Sequence, residues 1–544
     1  MIEFTRKVAK LRTRAVAVIA VATAAVALSA CDTSGGGSES TTSGGNISIA
    51  QFEMDHLTAG WGNGYNNDVV NALYAPLVRF DAEDKLELVQ AESIATADNK
   101  VWTIKIKPGW TFHNGEEVTA QSYIDGLNTT AYGLNAWGQN YQLAGVEGYE
   151  ALNPVEGKPT ATSMSGLKAI DPHTLEVTLR SPDSQLQIEM ASGRSAWYPL
   201  PKAALANLEA NDKAPIGNGP FQMDGTWENP ANSVKVKTYE AYKGPKPKVS
   251  NIEFKVYSSS ETAYTDLLAG NVDLTGQATT LPSTKLGQAK ADFPGRLVTD
   301  PTVYTQWLGF PGSDDRYADV RVRQAISMAI DREAISAKIF GGLYSPATSI
   351  FAPGTIGGVP ENCGEYCKLN PAKAKELLAA AGGWSGPMEI HYVGGRGLEP
   401  YVQAIANSIR QNLGVSEVAL VASPTSSEYL ASLKAGTKGP FTSGWGGLPT
   451  PLDVLSGVFQ KSSAYNPRSG FYGNPAVDAL IEQAKSAKTP EEATARFHDA
   501  EAQIMEDFPV APMYNYAAVT PYSERIEEPV VNLDGPMLDH ITLK

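Results

Sequence analysis

Strands and helices alternate along almost the whole chain, and this mixture most constrains the fold. Residues 101–107, VWTIKIK, alternate apolar and polar side chains, which is the pattern of a half-buried strand. Residues 173–179 repeat it. Asn370-Pro371 opens an apolar periodic run, and a capping side chain followed by proline is typical of a helix start. The sequence therefore predicts an α/β fold whose sheets keep one face exposed to water.

The length of the chain requires more than one lobe. Residues 46–544 exceed the size at which single hydrophobic cores stop growing, about 250–300 residues. Residues 319–340 carry apolar side chains at helical spacing and predict one long, core-facing helix. The formal net charge of −15 excludes nucleic acid as a partner, because phosphate binding requires a basic face.

The N-terminal segment predicts an exported lipoprotein. A basic run is followed by residues 15–30, which are mostly apolar and uncharged, but too few to span a bilayer. We expect residues 1–30 to be a signal peptide and Cys31 to carry a lipid. The alternative is an ordinary signal peptide that happens to precede a cysteine. Residues 31–45, rich in Gly, Ser and Thr, predict a flexible linker to the extracytoplasmic face of the cell membrane.

The two other cysteines predict a local disulfide. Cys363 and Cys367 lie in ENCGEYC, and a close pair in an exported protein favours a bridge. Two free thiols or a metal-ligand pair are the alternatives. The six histidines are scattered with no i,i+4 pair, so no metal site is expected.

Sequence motifs of catalysis and of cofactor binding are absent. The chain has no G-x-S-x-G turn, no phosphate loop, no H-E-x-x-H and no dinucleotide fingerprint, so we expect no cofactor and a protein that is not an enzyme. A secreted hydrolase that uses two distant carboxylates leaves no motif, and it stays the second hypothesis.

Aromatic residues in Gly-, Asn- and Pro-rich loops are candidates for a ligand cleft, since such clefts are lined by aromatic surfaces with a few polar groups. Ordinary core packing is the alternative for each of them. They are Trp61, Tyr65, Trp137, Tyr304, Trp307, Trp445, Tyr514 and Tyr516.

Several segments, in order, resemble the peptide-type solute-binding proteins of ABC importers (bacterial extracellular solute-binding protein family 5), in particular the oligopeptide- and dipeptide-binding branch. The resemblance covers nearly the whole chain after the linker. It is carried by residues 101–128 (VWTIKIKPGWTFHNGEEVTAQSYIDGLN), 166–179 (GLKAIDPHTLEVTL), 202–205 (KAAL), 216–221 (IGNGPF), 269–274 (AGNVDL), 319–335 (DVRVRQAISMAIDREAI), 370–382 (NPAKAKELLAAAG), 443–447 (SGWGG) and 508–516 (FPVAPMYNY).

The resemblance implies an α/β fold of the class II periplasmic-binding-protein type, with two lobes around a ligand cleft and an extra subdomain. Lobe I is expected to comprise residues 46–90, 212–312 and 511–544. The extra subdomain is expected at residues 91–211 and lobe II at 313–510, with crossing strands near 308–312 and 508–512 as the hinge.

The resemblance also implies that an extended peptide binds between the lobes through its backbone, and that an ABC permease is the membrane partner of a monomeric protein. Trp445 is expected to form a stacking wall, with close backbone approach at Gly446 and Gly447. The other expected ligand contacts are Trp61, Asn63, Tyr65, Trp137, Arg396, Tyr514 and Asn515; a solvated loop arginine is the alternative for Arg396.

One position departs from the family pattern. An aspartate that pairs with the peptide's ammonium group is expected three residues after the tryptophan, and Leu448 stands there. Because a buried ammonium without a partner is costly, another acid must serve, with Asp453 and Glu399 as candidates, or the ligand differs. Nickel chelates, haem and oligosaccharides are the alternative ligands.

Overall fold

The computed structural model describes residues 44–544 except 63–64, 193–195, 229–231, 278–280, 359–361 and 396. Its strands are β1 (Asn46–Phe52), β2 (Val78–Phe80), β3 (Leu86–Leu88), β4 (Ala91–Thr96), β5 (Val101–Ile106), β6 (Leu167–Asp171), β7 (Thr174–Thr178), β8 (Phe221–Met223), β9 (Val234–Thr238), β10 (Asn251–Tyr257), β11 (Leu274–Thr275), β12 (Leu297–Gly309), β13 (Ser345–Pro346), β14 (Met388–Val393), β15 (Val418–Ser423), β16 (Phe441–Trp445), β17 (Val510–Pro521), β18 (Val531–Asn532) and β19 (Gly535–Pro536).

Helices fill the intervals between these strands. They are α1 (Asn67–Leu73), α2 (Ala120–Ala131), α3 (Tyr149–Leu152), α4 (Leu186–Ala191), α5 (Lys202–Ala206), α6 (Leu208–Lys213), α7 (Ser260–Leu268), α8 (Ala289–Asp292), α9 (Val320–Met328), α10 (Arg332–Ile339), α11 (Pro371–Ala380), α12 (Glu399–Leu413), α13 (Ser426–Ala435), α14 (Pro451–Val454), α15 (Pro475–Lys485) and α16 (Pro490–Asp507).

Caps written in the sequence set several of these helix ends. The Asn370 side chain accepts a hydrogen bond from the Lys373 amide, and Pro371 occupies the first turn of α11, as predicted. The prediction of one helix over residues 319–340 is wrong, because the structure has α9 and α10 there. Asp331 caps α10 by accepting a hydrogen bond from the Ala334 amide. A second helix therefore begins within the apolar segment that was predicted to form one helix.

Three sheets organise the molecule. The first has the order β11-β1-β10-β9-β8, the second β13-β17-β12-β16-β14-β15 and the third β4-β5-β7-β6. In the third sheet, the side chains of β5 alternate between buried and more exposed positions, which confirms the predicted half-buried strand. In the first sheet, β1 pairs in parallel with both β10 and β11.

Two long antiparallel strands, β12 and β17, extend from the second sheet towards the first. β12 and β17 pair from Leu297 opposite Pro521 to Gly309 opposite Val510. Tyr522, just beyond β17, forms a bridge to Leu274 of β11. The backbone therefore passes between the two sheets along this ladder, which includes the region predicted as the hinge.

Buried apolar side chains form three large clusters. One lies mainly under the third sheet and α2, one lies against the first sheet, and the largest lies between the second sheet and the helices around it. Tyr257 and Tyr264, from the region predicted as lobe I, pack in the largest cluster. The lobe boundaries in the sequence stay predictions.

Cys363 and Cys367 are joined by a disulfide with an S–S distance of 2.09 Å, as the sequence predicts. Within the described part of the chain, none of the helices combines the length and apolarity needed to cross a bilayer. The described residues likewise contain no group of three or more His, Cys, Asp and Glu side chains placed to hold a metal ion.

Candidate functional site

Trp445 ends β16 and begins a glycine-rich turn beside β12. Its register partner on β12 is Thr305. A Cβ added to Gly446 would lie 2.6 Å from Tyr304 Cδ2, and one added to Gly447 would lie 2.5 Å from Asp453 Oδ2. Both glycines therefore leave room for side chains of the protein itself, and the close approach of a ligand backbone stays a prediction.

Asp453 is bonded into this turn. Its Oδ2 accepts a 2.6 Å hydrogen bond from Trp445 Nε1 and a 3.1 Å bond from the Leu448 amide. Burial raises the pKa of Asp453 to about 6, although both bonds oppose the shift. Asp453 therefore lies at the predicted site, but the oxygen that accepts these two bonds serves the protein.

Glu189, from the region predicted as the extra subdomain, lies close enough to Asp453 for their charges to interact. Desolvation, the neighbouring Asp183 and then Asp453 raise the pKa of Glu189 well above its ordinary value. Desolvation also raises the pKa of Asp183, against the opposing charge of Lys485. Asp183, Glu189 and Lys485 line a cavity of about 130 Å³ together with Leu452. Burial therefore favours the uncharged forms of both carboxyl groups in this cavity, which the Lys485 side chain also lines.

Tyr514 and Asn515 lie on β17, next to β12. Tyr514 is 0% exposed and its hydroxyl donates to the Arg332 carbonyl at 3.0 Å. It presents no surface to a ligand, so its predicted ligand role gives way to the packing alternative. Asn515 is half-buried and its Oδ1 accepts from Thr305 Oγ1 at 3.0 Å, which puts Asn515 and Trp445 on either side of Thr305.

Trp61 and Trp137 belong to a stack on the side of the first sheet. Their rings are 4.9 Å apart and 13° from parallel, and His56 covers the other face of Trp61 at 4.3 Å. Trp137 is 1% exposed, so it supports Trp61 from beneath and has almost no surface for a ligand. Its predicted contact therefore also gives way to packing.

Tyr65 lies apart from this stack, beside Phe52 at the end of β1. It is 48% exposed and its ring meets the Phe52 ring edge-on at 6.5 Å. Together with Tyr257 and residues 258–261 it lines a cavity of about 470 Å³. The remaining predicted residues, Asn63, Arg396 and Cys31, lie outside the described residues.

The structure adds residues that the sequence analysis did not place in the site. Tyr304 packs against Gly446, and the Tyr304 and Tyr516 rings meet at 4.8 Å. The aromatic loop pattern contained both tyrosines without ranking them above their neighbours. Glu189 carries no local signal at all, because its proximity to Asp453 depends on elements far apart in the chain. Glu399, the second candidate acid, accepts from the Gly395 amide at 2.9 Å.

Comparison with known proteins gives a consistent picture. Residues 85–466 match the family described as "Bacterial extracellular solute-binding proteins, family 5 Middle". The chain is 26% identical over 460 residues to the periplasmic murein peptide-binding protein MppA of Escherichia coli K12, covering 82% of this chain and 83% of that protein. It is 26% identical over 520 residues to the oligopeptide-binding protein OppA of Bacillus subtilis 168, covering 90% and 92%. These relatives are named as binding proteins rather than as enzymes.

Solved structures show the same fold. The unliganded open form of MppA superposes with a TM-score of 0.80 at 23% identity, covering 92% of this chain and 98% of that one. The OppA complex of Haemophilus influenzae with the peptide RPPGFSPFR gives 0.68 at 21% identity, covering 92% and 99%. The predicted α/β, two-lobed binding-protein fold is thereby confirmed.

Proposed function

Since the chain belongs to family 5 of the bacterial extracellular solute-binding proteins, we propose that it captures extracellular peptides between its lobes and delivers them to the permease of an ABC importer. The observation that carries the proposal is that relatives named for peptides or oligopeptides match 82% and 90% of this chain. An extended peptide offers the same backbone groups whatever its sequence, so capture through the backbone accepts many peptides.

The Trp445 loop is the part of the site that we assign to ligand contact. Trp445 is partly exposed and offers a flat surface at the end of β16. Asn515 of β17 lies across Thr305, and the Tyr516 hydroxyl donates to Gln306 Oε1 at 2.6 Å. Leu448 cannot pair with a peptide ammonium.

The lobes close around the ligand in this proposal. Only a closed form contacts the ligand from both sides, so binding shifts the population towards closure.

The N-terminal segment completes the proposal. The signal peptide, residues 1–30, would be removed, and a lipid on Cys31 would hold a monomeric protein at the extracytoplasmic face of the membrane. The linker, residues 31–45, would leave the lobes free to close. A receptor without its own channel benefits from staying near its permease, since tethering raises its effective concentration there.

Native mass spectrometry of the purified protein tests the ligand class. We expect a bound mass that tandem fragmentation identifies as peptide. A nickel chelate, a haem, an oligosaccharide or a bile-acid-like molecule in its place would overturn the peptide proposal. Conversion of the bound ligand by the protein would instead support the secreted hydrolase.

A thermal shift assay gives the second test. A pool of peptides at about 100 times Kd should add about 2.7 kcal/mol to the free energy of unfolding by mass action. Trp445→Ala should abolish this shift, whereas the matched control Trp384→Ala, which removes a ring that packs against Arg316 and Tyr317, should keep it.

A third test concerns the lipid anchor. Cys31→Ala should move the protein out of the membrane fraction or leave it unprocessed. Membrane retention of a processed C31A protein would contradict the lipid.

A further inference from the structure

The indole of Trp445 is held in one orientation by its surroundings. Its ring lies 5.3 Å from the Tyr465 ring. On another side, a Cβ added to Gly457 would come within 2.8 Å of Trp445 Cζ2. The ring nitrogen Nε1 is turned towards Asp453 and donates to Oδ2 at 2.6 Å. A ligand wall built from this indole therefore depends on where the Asp453 carboxyl lies.

Asp453 is itself fixed by the turn that it serves. Its amide donates to Thr450 Oγ1 at 3.1 Å, the side-chain cap at the start of α14. Its Oδ2 accepts from the Leu448 amide as well as from the indole. A Cβ at position 447 would lie only 2.5 Å from this oxygen, so the glycine leaves room for the carboxyl. Asp453 Oδ2 thus accepts hydrogen bonds from both ends of the turn, Trp445 and Leu448.

We infer that Asp453 is a positioning residue, which orients the Trp445 indole for the ligand through an accepted hydrogen bond and not through its charge. The inference rests on the proposed function of Trp445 as ligand wall. Asp453 was a candidate partner of the ligand's ammonium group on sequence grounds, and this inference gives it a different role.

The chemistry of the bond separates the two roles. Both donors meet the same oxygen, Oδ2, so a carboxamide with its oxygen at that place accepts both bonds without carrying charge. An ammonium ligand, by contrast, requires the negative charge. The charged group that faces Asp453 from α4 is Glu189, and Asp183 and Lys485 line the same cavity as Glu189.

The ligand-independent test uses the protein with ¹⁵N-labelled tryptophan side chains. The Trp445 indole resonance is identified by its loss in Trp445→Phe. We expect Asp453→Asn to keep that resonance near its wild-type, hydrogen-bonded shift, and Asp453→Ala to move it towards the shift of a solvated indole. An unchanged Trp445 resonance in D453A would overturn the inference whether or not peptides bind.

The binding test uses the ligand identified by mass spectrometry and a double-mutant cycle. Loss of this hydrogen bond in D453A should weaken binding by about tenfold, while D453N should stay within about threefold of wild type. In the Trp445→Phe background, which lacks the indole N–H, D453A should cost much less. The matched control is Asp292→Ala, which removes the 2.6 Å bond from the Tyr264 hydroxyl elsewhere in the fold and should leave affinity unchanged.

The outcomes distinguish this inference from the proposed function. If D453N binds as weakly as D453A, or if the D453A loss is undiminished in the W445F background, Asp453 acts by charge on the ligand and the positioning role is wrong. If W445F and W445A both bind every peptide at wild-type affinity, the ligand wall itself is misassigned, whereas the indole resonance still reports on the Asp453 bond.

Discussion

Glu501 makes the stability of the protein fall as the pH rises, which is opposite to the usual effect of an ion-paired carboxylate. It lies on α16 and is 0% exposed. Its Oε1 accepts from the Ser349 hydroxyl and from the Ile350 amide at 3.2 Å, and its Oε2 accepts from Asn362 Nδ2 at 2.6 Å. These bonds tie Ser349, Ile350 and Asn362 to the helix. Burial nevertheless raises the pKa of Glu501 from its ordinary 4.5 to about 7.

The sign and size of the effect follow from proton linkage. The folded state holds the proton more tightly, so between pH 4.5 and 7 it binds more protons than the unfolded chain and stability falls with rising pH. The contribution is fully present below pH 4.5 and lost above pH 7. At 1.36 kcal/mol for each unit, the loss is about 3 kcal/mol. Glu501→Gln cannot ionise, so it should avoid this loss.

Urea unfolding followed by fluorescence at pH 5, 6, 7 and 8 measures the effect. The free energy of unfolding of E501Q minus that of wild type should increase by about 3 kcal/mol from pH 5 to pH 8, because only the wild type loses stability over this range. The matched control Glu506→Gln removes an exposed carboxylate from the same helix and should leave the pH profile unchanged. Parallel profiles for E501Q and wild type would refute the reasoning, because Glu501 would then titrate alike in both states.

Two further changes test the packing of the fold. Gly217→Ala, within IGNGPF, would place a Cβ 1.9 Å from the Leu73 carbonyl oxygen and should cost about 3 kcal/mol or more of unfolding free energy; Gly145→Ala, which meets nothing within 4 Å, is the matched control, and equal denaturation midpoints would contradict the crowding. Cys363→Ser opens a loop with a sequence separation of 4 and should cost about 2 kcal/mol. The same loss should appear when the wild-type protein is reduced with dithiothreitol, and insensitivity to the reductant would argue against the bridge.

Local patterns account for the features that the sequence predicted well. The helix start at Asn370-Pro371, the half-buried strand β5 and the Cys363–Cys367 pair each depend on residues only a few positions apart. Short-range sterics and hydrogen bonding decide such features almost independently of the rest of the chain. The prediction of one long helix over residues 319–340 was wrong for an equally local reason. Apolar side chains continue at helical spacing across Asp331, so the pattern gave no sign that Asp331 caps a second helix.

The chain by itself determined the mixed α/β architecture, the family and the position of the Trp445-Gly446-Gly447 turn, because periodicity, caps and ordered motifs are written in neighbouring residues. Only the tertiary structure decided which aromatic rings are exposed. Trp137 and Tyr514 read like Trp445 in the sequence, yet they are buried under other rings. Only the fold could bring Glu189 near Asp453, since burial and charge proximity depend on the packing of elements hundreds of residues apart. For the same reason, the sequence left open whether Asp453 meets a ligand or holds the indole beside it.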